Sequence, residues 1–225
     1  MTTKIKVLHL RRHSIKDGPG QTIGVKGLEL ARGQGALVNL GFVQPKFPPA
    51  SEPAGDEMAL IEVQPTQRRY GRLFCGPQVQ NAQTALAFCQ GLGYVPTVMP
   101  VVGLGDDAML KIIATPEFKQ AVAGGLSFYA AIRQVHRNED SMPWAELCRM
   151  ALIAMFGDMA EGDIGIGFFY GIPIELAAWA CGAGEDTTES WTGLREMEGL
   201  VFVWDQQATE GPAVFGKIGN IADEP

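Results

Sequence analysis

Lys4-Ile5-Lys6-Val7-Leu8-His9-Leu10-Arg11-Arg12-His13-Ser14 is an alternating, largely apolar run that stops at two arginines, a histidine and a serine. Alternation at a period of two favours a β-strand, and its apolar content makes 4–10 a central one. A strand end that delivers Arg12 and His13 together has a chemical use. The guanidinium is a planar fork for phosphate oxygens, and the imidazole is a nucleophile for phosphoryl transfer. The other two histidines are elsewhere: His9 is inside this strand and His136 is within a helical stretch, so neither stands beside His13.

Outward from that strand, Ser14 to Gln21 reads as a polar, Gly-rich loop, and a helix follows from Gly24 to about Leu40 with Leu28, Ala31, Gly35 and Val38 on one face. Gly41 is its stop. Residues 43–71 hold Pro45, Pro48, Pro49 and Pro53 and read as a loop insertion, with a short strand at 59–63. Arg72 to Cys75 is a second core strand, closed by Gly76-Pro77. The helix from Gln78 to Gly91 is expected to turn Ala82, Ala85, Leu86 and Cys89 inward. A short strand is expected at 98–102, and residues 106–161 form a mainly helical insertion broken at Pro116 and Gly124-Gly125, with Pro143 opening a long helix. Asp163 to Phe169 is a third core strand, and Pro173 sits early in the helix that runs to Cys181. Residues 200–204 and 213–215 pair as a terminal hairpin or lie as two edge strands. Strands alternating with helices define an α/β chain: a single domain over 1–225, a three-layer α/β/α sandwich with a mostly parallel central sheet.

Composition narrows the function. The net charge of −7 argues against nucleic acid, which calls for a basic surface. Cys75, Cys89, Cys148 and Cys181 are scattered without a CxxC pair, so no metal or redox motif is visible, no cofactor is implied, and the thiols are expected to be reduced in a cytoplasmic protein. The first apolar run is short and ends in Arg11-Arg12, unlike a signal peptide. The apolar stretch 164–184 contains Pro173 and Glu175 and changes from a β to a helical pattern, which fits a buried strand and helix better than a membrane span.

In this order the elements resemble the histidine phosphatase superfamily, which includes the cofactor-dependent phosphoglycerate mutases and the phosphohistidine phosphatases. Arg12-His13-Ser14 is similar to that family's Arg-His-Gly. Thr22, Gly27, Ala31 and Gly35 follow its Leu-Thr-x-x-Gly helix, and Gly76-Pro77 with Gln83-Thr84-Ala85 follows its Ser-Pro-x-x-Arg-Ala-x-x-Thr-Ala helix. Gly165 to Phe169, then Tyr170-Gly171, resembles the late strand that ends in His-Gly. The resemblance spans residues 4–182 and implies a phosphoglycerate mutase-like fold. It also implies a reaction in which His13 attacks phosphorus, Arg12 holds its oxygens and a carboxylic acid, Asp106 or Asp107, protonates the leaving group.

The departures fall on the chemistry. Gln80 stands where the family has its second arginine, and Tyr170 where it has its second histidine. Each can donate a hydrogen bond but neither brings a charge, and charge-assisted bonds are about twice as strong. Taken singly, Gln80 also reads as a solvated helix residue, Tyr170 as a core tyrosine with a backbone partner, and Asp106-Asp107 as a helix cap. Arg68, Arg69 and Arg72 read as surface charges, one of which could swing in to replace the lost guanidinium. The expectation is an incomplete histidine phosphatase-like site, a pseudoenzyme in which Arg12, Ser14, Gln80, Tyr170 and Gly171 hold a small phosphorylated or anionic ligand. The alternatives are an active phosphomonoester hydrolase working through a phosphohistidine on His13, and a protein-interaction scaffold with a vestigial pocket. The strand near 200–215 is a possible homodimer edge.

Overall fold

The computed structural model describes residues 5–16, 22–40, 69–100, 103–136, 142–182, 194–205 and 211–219; within its helices, the side chains of 106–109, 128–129, 133, 136 and 142 are not described. The first strand, β1, is Ile5–Arg12, and α1 is Val25–Asn39. Then come β2 (Arg72–Cys75), α2 (Val79–Leu92) and the two-residue β3 (Thr97–Val98). Four helices follow: α3 (Asp106–Ala114), α4 (Pro116–Ala123), α5 (Phe128–His136) and α6 (Met142–Gly157). The chain closes with β4 (Ile164–Phe169), α7 (Gly171–Ala180), β5 (Gly199–Asp205) and β6 (Ala213–Ile218). The expected insertion at 43–71, its strand at 59–63 and the stop at Gly41 lie almost entirely outside the described residues.

The six strands form one sheet in the order β3-β2-β4-β1-β5-β6. β1 to β4 run parallel to one another, and β5 and β6 are antiparallel additions beside β1. β1 and β4 therefore carry partners on both edges and helices on both faces, which is why β4 reads as a continuous apolar run, while β1 buries Lys6 and Arg11 among its apolar residues. Alternation along β1 separates the two cores. Leu8 and Leu10 pack with residues of α3 to α7, whereas Val7 packs with α1 and α2. The three-layer α/β/α arrangement follows.

Two features bring loops to the sheet's carboxyl edge. Gly27, on α1, lies so close to the strand-end loop that a Cβ there would stand 2.2 Å from the Ile15 carbonyl oxygen. Gly35 admits α2 in the same way: its Cβ would meet the Phe88 carbonyl oxygen at 2.0 Å. The inward face of α2 differs from the one the sequence suggests. Ala82 and Leu86 are exposed, Leu86 by 61 %, and the buried set is Gln80, Asn81, Thr84, Ala85, Ala87, Phe88, Cys89 and Leu92. The first turn of α2 buries polar groups against the strand-end loop, and only its later turns face apolar core. Pro116 does not merely break a helix; it takes the first position of α4, behind the Thr115 cap, where its missing N–H costs nothing.

Candidate active site

The register between β1 and β4 makes the site. Arg12 pairs with Phe169, so the next residues, His13 and Tyr170, leave adjacent strands side by side, and the His13 amide donates to the Phe169 carbonyl at 3.0 Å. Their rings meet edge to face with centroids 5.3 Å apart. β2 ends one strand further out, where Gly76 donates to the Phe168 carbonyl at 3.0 Å and leads through Pro77 into α2. This brings Gln80 across to Tyr170, and the Gln80 Nε2 donates to the Tyr170 hydroxyl at 2.5 Å.

Ser14 fastens the loop rather than opening it. Its hydroxyl donates to the Gly27 carbonyl at 2.7 Å, and its amide donates to Thr84 Oγ1 at 3.0 Å. Thr84 in turn donates to the Gln80 carbonyl at 2.7 Å. His13 is thus held between two helices.

The tautomer of His13 is fixed by its partner. Nδ1 lies 2.8 Å from the Ser14 carbonyl oxygen, which can only accept, so Nδ1 carries the proton and Nε2 keeps its lone pair. The ring is 3 % exposed, and its pKa is lowered to about 4. Burial is the main cause; the bond to Ser14 and the charge of Glu196 oppose it, while Arg12 and Lys16 reinforce it. The imidazole is therefore neutral near neutral pH, the form a nucleophile requires.

Arg12 is held by the turn before β5. Its Nη1 donates to the Leu194 carbonyl at 2.6 Å, and its Nη2 lies 3.0 Å from Glu196 Oε1. That turn is strapped to β1 from both sides: the Arg12 amide donates to the Glu198 carbonyl and the Met197 amide to the Arg12 carbonyl. Met197, fully buried, has a φ of 65°, a left-handed conformation that side-chain-bearing residues rarely adopt. Such strain persists only where surrounding bonds enforce it.

Lys16 belongs to the same group. Its Nζ lies 5.3 Å from the centre of the Tyr170 ring, and burial and the Arg12 charge both lower its pKa. A bridge between Lys16 and Ile23 anchors its backbone. Neither Lys16 nor Glu196 was singled out by the sequence. The available signal for Lys16 was its place three residues after His13; for Glu196 there was none.

Other sequence candidates are placed differently. Gln80 is fully buried, so the solvated reading does not hold, and its Oε1 has no hydrogen-bond partner among the described residues. Asp106 and Asp107 open α3 behind Gly105, and their side chains, like that of His136, lie outside the description. Gly171 is buried at the start of α7 behind Tyr170. Arg72 does not swing in: it leads β2 at the opposite edge of the sheet and pairs with Asp163 at 3.4 Å. Arg69, just before it, lies over the Tyr94 ring. Arg68 lies outside the described residues. Behind the site, Arg11 is buried on the α2 side of β1, over the Phe88 ring, with Nη1 donating to the Met197 carbonyl at 2.8 Å. His9 bonds the Tyr70 hydroxyl at 2.8 Å on that same face, away from His13. Among the described residues, no group of three or more His, Cys, Asp or Glu side chains could hold a metal ion, and no helix is long and apolar enough to cross a membrane.

This architecture is the phosphoglycerate mutase-like fold. A phosphoglycerate mutase from Bacillus anthracis str. Sterne superposes with a TM-score of 0.53 at 12 % identity, over 95 % of this chain and 93 % of that one. A protein described as mycobacterial hydrolase 1 gives 0.51 at 13 %, over 96 % and 97 %. A mycobacterial glucosyl-3-phosphoglycerate phosphatase in complex with VO3 gives 0.50 at 12 %, over 96 % and 98 %. Neither protein-family models nor curated protein sequences yield a match.

Proposed function

We propose that the chain is a histidine phosphatase-like protein that binds a phosphorylated or similar anionic ligand beside His13 and turns it over slowly or not at all. The observation that carries this reading is the bond between Gln80 and Tyr170. At the two positions where the resembling family places cations, this chain has neutral groups that satisfy one another. Arg12 and Lys16 remain to attract an anion, and the VO3 complex of a similarly folded phosphatase is in keeping with an oxyanion there.

Transition-state charge on a transferring phosphoryl group spreads over its equatorial oxygens and must be met by positioned donors. Removing one such donor costs on the order of 10²–10³ in rate, so two weakened ones cost roughly 10⁴-fold. In this reading Arg12 and Lys16 take ligand oxygens, Ser14 and Gly171 shape the loop and helix start around them, and helices within 106–161 border the rest of the ligand. The single domain and its two insertions belong to the same proposal, as does a cytoplasmic setting.

A second reading has its own observation. The Nδ1–H bond to Ser14 leaves His13 Nε2 free for attack, as a phosphohistidine mechanism requires, with Asp106 or Asp107 as the acid. One experiment separates the two. Purified protein is assayed with p-nitrophenyl phosphate and melted with and without orthovanadate. Binding without turnover shows as a raised melting temperature and no release of nitrophenol; a ligand at about 100 times its Kd adds about 2.7 kcal/mol. Turnover that disappears in His13→Ala overturns the first reading. Absence of both signals leaves the site a relic and favours the scaffold.

A further inference from the structure

The charge around His13 suits an ion of a particular form. Among the described residues, Arg12 and Lys16 are the cations of the cluster and Glu196 is the carboxylate, 3.0 Å from Arg12. His13, Gln80 and Tyr170 add no charge. The group therefore carries one net positive charge, where a phosphoryl dianion calls for two or more. Glu196 is also not readily displaced: the turn that presents it is tied through Met197 and Glu198 to β1, through Leu194 to Glu175 on α7, and through Glu198 to Lys217 on β6. The left-handed Met197 next to it marks a backbone held in one conformation.

The second observation is the orphaned oxygen. Gln80 is fully buried, its Nε2 is spent on Tyr170, and its Oε1 has no donor among the described residues. A buried acceptor without a donor is costly, and a site containing one rejects ligands that cannot supply the missing hydrogen. Phosphate esters with one proton retained on phosphorus supply it; dianions and sulfate esters do not.

We propose that this site selects a monoprotonated phosphate monoester, ROPO3H−, whose P–O–H donates to Gln80 Oε1 while its charged oxygens face Arg12 and Lys16. The proposal rests on the anion-binding reading above and names the ionic form that site takes. Attraction for one negative charge matches the net charge of the cluster, and the donated proton satisfies Gln80.

The test uses the full chain and two ligands of the same shape, phenyl phosphate and phenyl sulfate, titrated calorimetrically at about pH 5.5 and pH 8. The second phosphate ionisation lies near pH 6, so the monoanion falls from roughly three-quarters of the phosphate ester to about one-hundredth between these conditions. The expected result is phenyl phosphate binding that weakens by roughly 50–100-fold at the higher pH. Phenyl sulfate, singly charged but without an O–H, is expected to bind weakly at both. It also corrects for titration of the described groups around the site: His13 and Lys16 on the strand-end loop, Glu196 on the turn before β5 and Tyr170 at the start of α7.

Phenyl phosphate binding that strengthens at pH 8 overturns the proposal, because the dianion is then preferred. Equal binding of phenyl sulfate and phenyl phosphate at pH 5.5 also overturns it, since the Gln80 amide would then offer a donor and charge alone would carry recognition. Absence of binding by either ligand at either pH refutes the anion site itself. In Gln80→Arg, which adds the charge and removes the acceptor, phenyl phosphate is expected to bind at least as well at pH 8 as at pH 5.5. If that variant does not fold, the wild-type series decides alone.

Discussion

Replacing His13 by asparagine should flatten the acid dependence of stability. An unfolded histidine titrates at about 6.5, whereas in the folded protein His13 is lowered to about 4, mainly by burial. Above about pH 6.5 neither state holds the proton. Between about 6.5 and 4 the unfolded chain binds it and the folded protein does not, so the unfolded state gains and stability falls with falling pH. Below about 4 both states are protonated and the loss is complete. From pH 7 to pH 5, two histidine forms with these pKa values differ by about 2 kcal/mol. Asparagine is the chosen replacement because its Nδ2 overlays the imidazole Nδ1 and keeps the bond to the Ser14 carbonyl. The assay is urea unfolding at the two pH values, followed by tryptophan fluorescence, for wild type and variant. The stability lost between pH 7 and pH 5 should shrink by about 2 kcal/mol in His13→Asn. His9, lowered to about 3 by burial and then by Arg11, contributes in the same direction but less than that value implies, because its side chain remains partly exposed. If the variant loses as much stability as wild type, His13 is not held neutral and its assignment as a ready nucleophile fails.

The packing of α1 on α2 predicts that Gly35→Ala costs about 3 kcal/mol, because the new methyl meets the Phe88 backbone rather than a side chain that can turn aside. For a chain of this length the melting temperature should drop by roughly 6–12 °C; an unchanged midpoint in a calorimetric scan contradicts the close approach. Lys16→Met keeps the aliphatic stem over Tyr170 and removes the charge, so the vanadate-induced rise in melting temperature should be largely lost. Retention of the full rise removes Lys16 from the site. Tyr170→Phe deprives the buried Gln80 amide of its partner and should destabilise the protein by about 1–3 kcal/mol in the same urea assay.

The strands were legible because their surroundings are simple. β4 is flanked by strands and helices and reads as an unbroken apolar run, whereas β1 and β2 keep apolar centres, Val7-Leu8 and Leu73-Phe74, between polar residues. The helix α2 was legible as a helix but not as a surface. Its first buried residues are Gln80, Asn81 and Thr84, which a hydrophobic pattern assigns to solvent, and Leu86, which the pattern assigns to the core, is exposed. The rule fails there because the helix starts at a polar site and ends on an apolar sheet. Arg12, His13, Gln80 and Tyr170, which the structure brings together, were legible because each ends or follows a strand or lies in the first turn of a helix at a recognisable spacing. Lys16 sits in a loop whose course depends on Gly27, and no local pattern shows that course.

Glu196 was hidden for a topological reason, and the same reason makes the C-terminal strands part of the site. In the parallel portion of the sheet, residues that precede a strand lie at the edge opposite to His13, as Arg72 does before its pairing with Asp163. β5 reverses that rule. It runs antiparallel to β1 with Gly199 opposite Arg11, so residues just before β5 arrive beside residues just after β1. A turn separated from Arg12 by more than 180 residues can thereby place a carbonyl and a carboxylate on its guanidinium. A fully parallel sheet would have left Arg12 free on that side, with no carboxylate to offset it. The antiparallel strand thus brings a carboxylate distant in sequence onto the Arg12 guanidinium, as well as extending the sheet.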